Sequence, residues 1–178
     1  ADLAVLATSR IRALSTDAVA ALTVEAITGL GTHQVAALSA DQLAVLSPEQ
    51  MLALETRDLA AMGTAQILAL STAQLDALDT LQLSSLSTRQ VANMGTAQIA
   101  ALEATDLAAM STAQFAAMST AQLAAVETAD IAALKTAQIA ALTTTQVGKL
   151  ATDQIAAITT AGKDMSGAIA LLQERSGR

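Results

Sequence analysis

The chain has no Cys, no Trp and no Tyr, and a single Phe, a single Pro and a single His in 178 residues. Lacking Cys, it has neither disulfide staples nor thiolate metal sites, whatever its compartment. Positive charge is also scarce: 9 Lys and Arg stand against 16 Asp and Glu, for a net charge of −7. No Lys/Arg stripe recurs, so binding to a phosphate backbone is not expected and no nucleic-acid partner follows. Long apolar runs are missing too. Although 53% of the residues are hydrophobic and mean hydropathy is +0.48, Thr, Gln or Ser interrupts the apolar residues every few positions. Nothing approaches the roughly 18 consecutive apolar residues of a membrane span. The start, Ala1-Asp2-Leu3, shows neither the basic nor the apolar region of a signal peptide.

What the chain does have is an eight-residue unit, repeated 19 times without insertion or deletion from Ala7 to Ile158. A fixed period of this kind marks a repeat architecture. The consensus is Ser-Thr-x-Gln-(Ile/Leu)-Ala-Ala-Leu, as in Ser119 to Val126. Position 5 is large and apolar in all 19 copies, and so is position 8. Position 2 is Thr in 15 copies and position 4 is Gln in 13. Residues 1–6 read as positions 3 to 8 of a further unit, so the chain is expected to be a segment of a longer array.

Ser-Thr-x-Gln is a capping box, in which the Ser hydroxyl and the Gln side chain each take one free N–H of a helix start. A favoured N-cap residue (Ser, Thr, Asp or Gly) fills position 1 in 13 octads. Pro48, at position 2 of its octad, would then be the first helical residue, where Pro is best tolerated. Positions 5 and 8 share a face through i,i+3 spacing.

One continuous helix is excluded by the period. At about 100° per residue, eight residues advance the apolar pair by about 800°, so the stripe would drift about 80° per octad and leave no face to bury. Strands lack the required alternation. The expected fold is therefore all-α: a solenoid or superhelix of very short helices of about two turns, one per octad, broken at position 1.

Helices this short are marginal alone and must gain their stability from neighbours. With a connection of about one residue, successive helices should meet steeply and wind into a compact superhelix. Positions 5 and 8 would face the axis and position 3 would face outward, where Asp17, Glu25, His33, Asp41, Glu49, Arg57, Arg89 and Asp153 lie. Glu55, Asp79, Glu103 and Glu127 suggest three octads per coil, whereas Gly31, Gly63 and Gly95 suggest four. The solenoid is expected over 1–158: a partial repeat at 1–6, then nineteen octads at 7–158. Lys163 and Ser166 break the pattern, and Met165, Ile169 and Leu172 follow i, i+4, i+7. Residues 159–178 are therefore expected to form a C-terminal capping helix and tail.

Candidate chemistry is thin. Three octads carry carboxylates at positions 1 and 4: Glu55 with Asp58, Glu103 with Asp106, and Glu127 with Asp130. These six are the candidate metal ligands, for Ca²⁺ if any. The preferred reading makes them acids set against the positive ends of helix dipoles. His33 has no nucleophile or base beside it in the pattern. Met62, Met94, Met110 and Met118 fill position 8 as core residues. No catalytic group, cofactor or enzymatic activity is expected.

The Thr-x-Gln-(Ile/Val/Leu)-x-x-Leu tandem over residues 7–158 resembles the octapeptide repeats of large bacterial surface and secreted proteins of the adhesin or haemagglutinin-like kind. The resemblance implies a structural, stalk-like segment, extracellular or at the cell surface, with protein or cell-surface components as partners. The expected function is a non-catalytic spacer or scaffold. A peptide- or protein-binding solenoid is the first alternative, and ice binding through the regular Thr ladder is the second.

Overall fold

The computed structural model describes residues 3–162, and within them every octad forms one α-helix. We number the octads from 1 (7–14) to 19 (151–158). A short 3₁₀ turn, Leu3–Val5, precedes the first.

Every helix begins where the capping argument places it. Position 1 is the N-cap throughout and its backbone is extended: φ runs from −63° at Ala7 to −80° at Gly31, and ψ from 145° at Lys135 to 165° at Asp79. Where position 1 has a side-chain oxygen and position 4 is Gln, the cap is complete. In eight octads, those beginning at Ser39, Ser47, Ser71, Asp79, Ser87, Ser111, Ser119 and Thr143, that oxygen accepts from the position 4 N–H at 2.7–3.3 Å. Pro48 opens its helix, Pro48–Leu52, at the expected place.

Strict α-helix covers four to six residues in octads 1–18. A closing 3₁₀ bond from the position 8 N–H to the position 5 carbonyl then tightens the end, as at Leu54 to Met51 (3.2 Å) and Leu78 to Leu75 (3.1 Å). From N-cap to position 8, each octad thus describes about two turns. In the octads of Met62, Leu70, Met110 and Leu134 the helix reaches position 7, and position 8 is extended.

The chain divides into two compact units between Met94 and Gly95, corresponding to octads 1–11 and 12–19. Within the first, each helix packs on the third one before it: Thr64–Ala69 on Ala40–Ala44, and Thr56–Ala61 on Thr32–Val35. The second follows the same rule, with Thr128–Ala133 on Ala104–Ala109 and Thr152–Thr160 on Thr128–Ala133. Each unit is a solenoid of stacked short helices.

The inward positions are those the pattern marks. Position 5 is at most 3% exposed in octads 1–18, and position 3 is exposed in all nineteen. Position 8 is buried from Leu30 onward. In the first coil Leu6, Leu14 and Leu22 are only half-buried, and at the other end Ile155 is half-buried. Helices at the rims of a stack have one neighbour fewer.

Octad 19 departs from the pattern, since its helix runs through position 8 to Thr160. It stops at Gly162, whose φ of +68° is the left-handed conformation that glycine adopts just past a helix end. Of the capping helix and tail expected over 159–178, Thr159 and Thr160 belong to the helix of octad 19, and residues 163–178, with Met165, Ile169 and Leu172, lie outside the described residues.

Candidate functional site

The most organised polar feature is a ladder of buried glutamines at position 4. All thirteen, from Gln34 to Gln154, are at most 8% exposed. Each turns its Oε1 back to accept the position 1 N–H of its own octad, at 2.6–3.0 Å. This is the capping box read from the sequence.

The amide nitrogen does something the box does not account for. Gln74 Nε2 donates to the carbonyls of Leu43 and Leu46, both at 2.8 Å. Gln90 donates to Leu59 (2.7 Å) and Met62 (2.9 Å), and Gln138 to Leu107 (2.7 Å) and Met110 (2.9 Å). The acceptors are positions 5 and 8 of the octad four earlier, 28 and 31 residues back. They lie at the end of a helix, where the position 8 carbonyls of Leu46, Met62 and Met110 take no bond from their own octad and the position 5 carbonyls, which accept the closing 3₁₀ bond, keep a second lone pair. One neutral amide therefore closes the N-terminus of its own helix and the C-terminus of a helix one coil below. With helix packing on the third octad back and this bond reaching the fourth, a turn takes between three and four octads.

Sequence reasoning missed this half of the glutamine. A signal was present, because a capping box accepts Glu as readily as Gln, yet no octad has Glu at position 4. Of the two, only the amide of Gln offers an acceptor and a donor together at neutral pH.

The acidic octads use position 4 differently. Asp58 is buried, and its Oδ2 accepts from the Glu55 N–H at 3.2 Å while Oδ1 accepts from the Thr32 hydroxyl at 2.7 Å. Thr32 is position 2 of the octad three earlier. Glu55 pairs with Arg57 Nε at 2.6 Å. Asp106 is buried and Asp130 half-buried, with Glu103 and Glu127 exposed beside them. Among the described residues no three His, Cys, Asp or Glu side chains converge as metal ligands. Millimolar Ca²⁺ and EDTA should therefore leave the melting temperature where it is. A rise of several degrees with Ca²⁺, lost on Asp106→Asn and Asp130→Asn, would contradict that expectation.

Asp130 differs from Asp58 for a reason the repeat supplies. No hydrogen bond reaches its carboxylate among the described residues, and the position matching Thr32, 26 residues earlier, is Ala104. Burial and the nearby Glu127 raise its pKa. A carboxyl raised in the folded state holds its proton more tightly there. It therefore subtracts from stability once the pH exceeds the unfolded pKa, and the loss is complete above the folded one. Ala104→Thr should supply the missing donor. We expect it to raise stability by about 1 kcal/mol at neutral pH, a gain that shrinks as the pH falls below about 4 and the carboxyl takes up its proton. Thermal melts at the two pH values check this.

Other polar positions serve the helix starts. Glu25 and Glu49, exposed at position 3, are held below the usual carboxylate range by hydrogen bonds, Glu25 chiefly by its own backbone N–H and Glu49 chiefly by the Ser47 hydroxyl. His33 is exposed. Since three to four octads complete a turn, the position 2 Thr residues are distributed around each coil instead of lying along one side.

No helix among the described residues is long and apolar enough to cross a membrane. No curated protein matches the chain. The ALTTAQ repeat matches it five times in tandem, over residues 1–32, 27–56, 51–88, 99–127 and 123–160. The six letters of that name read as positions 7, 8, 1, 2, 3 and 4 of the octad, as in Ala69-Leu70-Ser71-Thr72-Ala73-Gln74. With 1–88 and 99–160 so covered, the chain belongs to the ALTTAQ repeat family.

Proposed function

We propose that this chain is a non-catalytic structural segment, a spacer or scaffold within a larger bacterial surface or secreted protein of the adhesin or haemagglutinin-like kind. The observation that carries this reading is how its buried polar groups are employed. Ten of the glutamines, together with Asp58, hold one helix to another. Each Gln octad adds the same kind of bonds as the last, so length can be set in steps of one repeat without redesigning the interior. The outward positions carry Ala, Ser, Thr and scattered charges. The resemblance to octapeptide repeats of surface proteins supports the location.

The test is made in the parent protein. Removing or adding whole octads should change the measured reach of the surface structure in even steps and leave ligand recognition unchanged. Protease treatment of intact cells should release octad peptides. Loss of recognition with a few octads would assign binding to the array, and protection of the octads on intact cells would refute the surface location.

A binding role draws on a separate observation. Leu52, Leu68 and Leu81 are 51–72% exposed, and Gln82 Nε2 bonds the Leu52 carbonyl at 3.1 Å, placing the octads of Leu52 and Leu81 together. Replacing all three by Ser should leave cell attachment unchanged if the array is a spacer, and abolish it if these side chains are anchors.

A further inference from the structure

Position 4 is Arg10, Ala18 and Ala26 in octads 1 to 3, and Gln or Asp in each of the sixteen octads that follow. The boundary coincides with the geometry. Octad 4 is the first with a helix end beneath it, and Gln34 donates to the carbonyls of Leu3 and Leu6, both at 2.7 Å. Gln42 and Gln50 of the next two octads likewise reach down to Leu14 and Leu22, in octads 1 and 2. From octad 4 onward position 4 thus carries a group that can bond the coil below, whereas Ala18 and Ala26 carry none.

We infer that octads 1–3 form an edge coil whose outer face is specified against receiving another coil of octads. This holds whatever chain precedes Ala1. A coil laid on that face would bring three pairs of position 5 and position 8 carbonyls against Ala18, Ala26 and Arg10. Neither Ala has a donor for them, and in this structure Arg10 is exposed. The position 1 amides of Ser15 and Thr23 would be covered as well, with no Gln Oε1 to accept them. Buried backbone groups without partners oppose such a contact. At a solvent-facing edge the same groups are satisfied by water, and Ala is harmless there. A groove lined by Leu3, Ala21, Leu22, Ala26 and Gly29 together with the polar Thr23 and Glu25 lies among these residues. The edge resembles the distinct terminal repeats that stop a solenoid from stacking on itself.

The test is a graft in the full chain. A second copy of residues 65–88, which carries three Gln octads, is placed ahead of Ala1. It runs from position 3 to position 2 and so keeps the octad frame. Two chains are compared, one with native octads 1–3 and one with Arg10→Gln, Ala18→Gln and Ala26→Gln. Limited proteolysis and hydrogen exchange of the grafted segment are followed while the downstream array stays folded. We expect the native graft to be cleaved and exchanged rapidly. The triple-Gln graft should be slower by about tenfold for each restored bridge, the equivalent of one net hydrogen bond. Equal protection of the two grafts would overturn the inference, because the native face would then accept a coil. Absence of protection in both would overturn it too, because position 4 would not be what decides stacking.

Discussion

Deleting residues 111–114 should abolish cooperative unfolding of octads 12–19 or drive the protein to aggregate, whereas deleting 111–126 should cost only a graded amount of stability. The difference lies in phase. Gln138 donates to Leu107 and Met110, 31 and 28 residues back. After the four-residue deletion the same count lands on Glu103 and Asp106, positions 1 and 4, whose carbonyls are not helix-end acceptors. Every downstream apolar pair is likewise turned half a repeat from the coil below. The sixteen-residue deletion removes two whole octads, so each remaining Gln still counts back to positions 5 and 8. Nearest-neighbour interfaces dominate the stability of such stacks, and they survive the second deletion but not the first. Thermal melts followed by circular dichroism separate the outcomes. If the two variants melt alike, the octad is not the structural unit.

The second large effect concerns the core. Leu123 is 1% exposed, whereas Ala121, two residues earlier in the same octad, is exposed. Leu123→Asp sets an unpaired charge among the buried side chains at position 5. We expect a loss on the order of 4 kcal/mol, or a melting point lower by roughly 10 °C for a chain of this size. Ala121→Asp should be nearly neutral, since position 3 already carries Asp17, Asp41 and Asp153, all exposed. Equal melting points for the two variants would mean that inside and outside have been assigned wrongly.

Much of this architecture is legible in eight letters. Capping chemistry is local, so Ser-Thr-x-Gln locates each helix start without reference to the fold, and all nineteen N-caps fall at position 1. The i,i+3 spacing is local too, and it correctly places Val19, Leu75 and Phe115 inside and Arg57 and Asp153 outside. What was not legible depends on distance. The partner of Gln74 Nε2 lies 28 and 31 residues away, and no local pattern names it. The number of octads per turn follows from the same bond. The sequence patterns of 24 and 32 residues point to three and four, on either side of it. The acid pairs were read from their positions at helix starts. That reading misses why Asp58 and Asp130 differ, which depends on whether Thr32 or Ala104 stands three octads earlier. The division at Met94 and Gly95 has no signature in the repeat, which runs across it unchanged.

The measurement that bears most directly on the central claim is the stability of Gln74→Glu as a function of pH. Glu keeps the oxygen that accepts the Ser71 N–H but replaces the donor with a carboxylate facing the Leu43 and Leu46 carbonyls. Its folded pKa must therefore rise, so the variant should be least stable above that value and recover as the pH falls and the carboxyl gains a proton to donate. We expect a deficit of about 2–3 kcal/mol at pH 7 that shrinks as the pH falls from about 6 toward about 4. A variant as stable as the native chain at pH 7 would contradict the claim that the position 4 amide ties coil to coil.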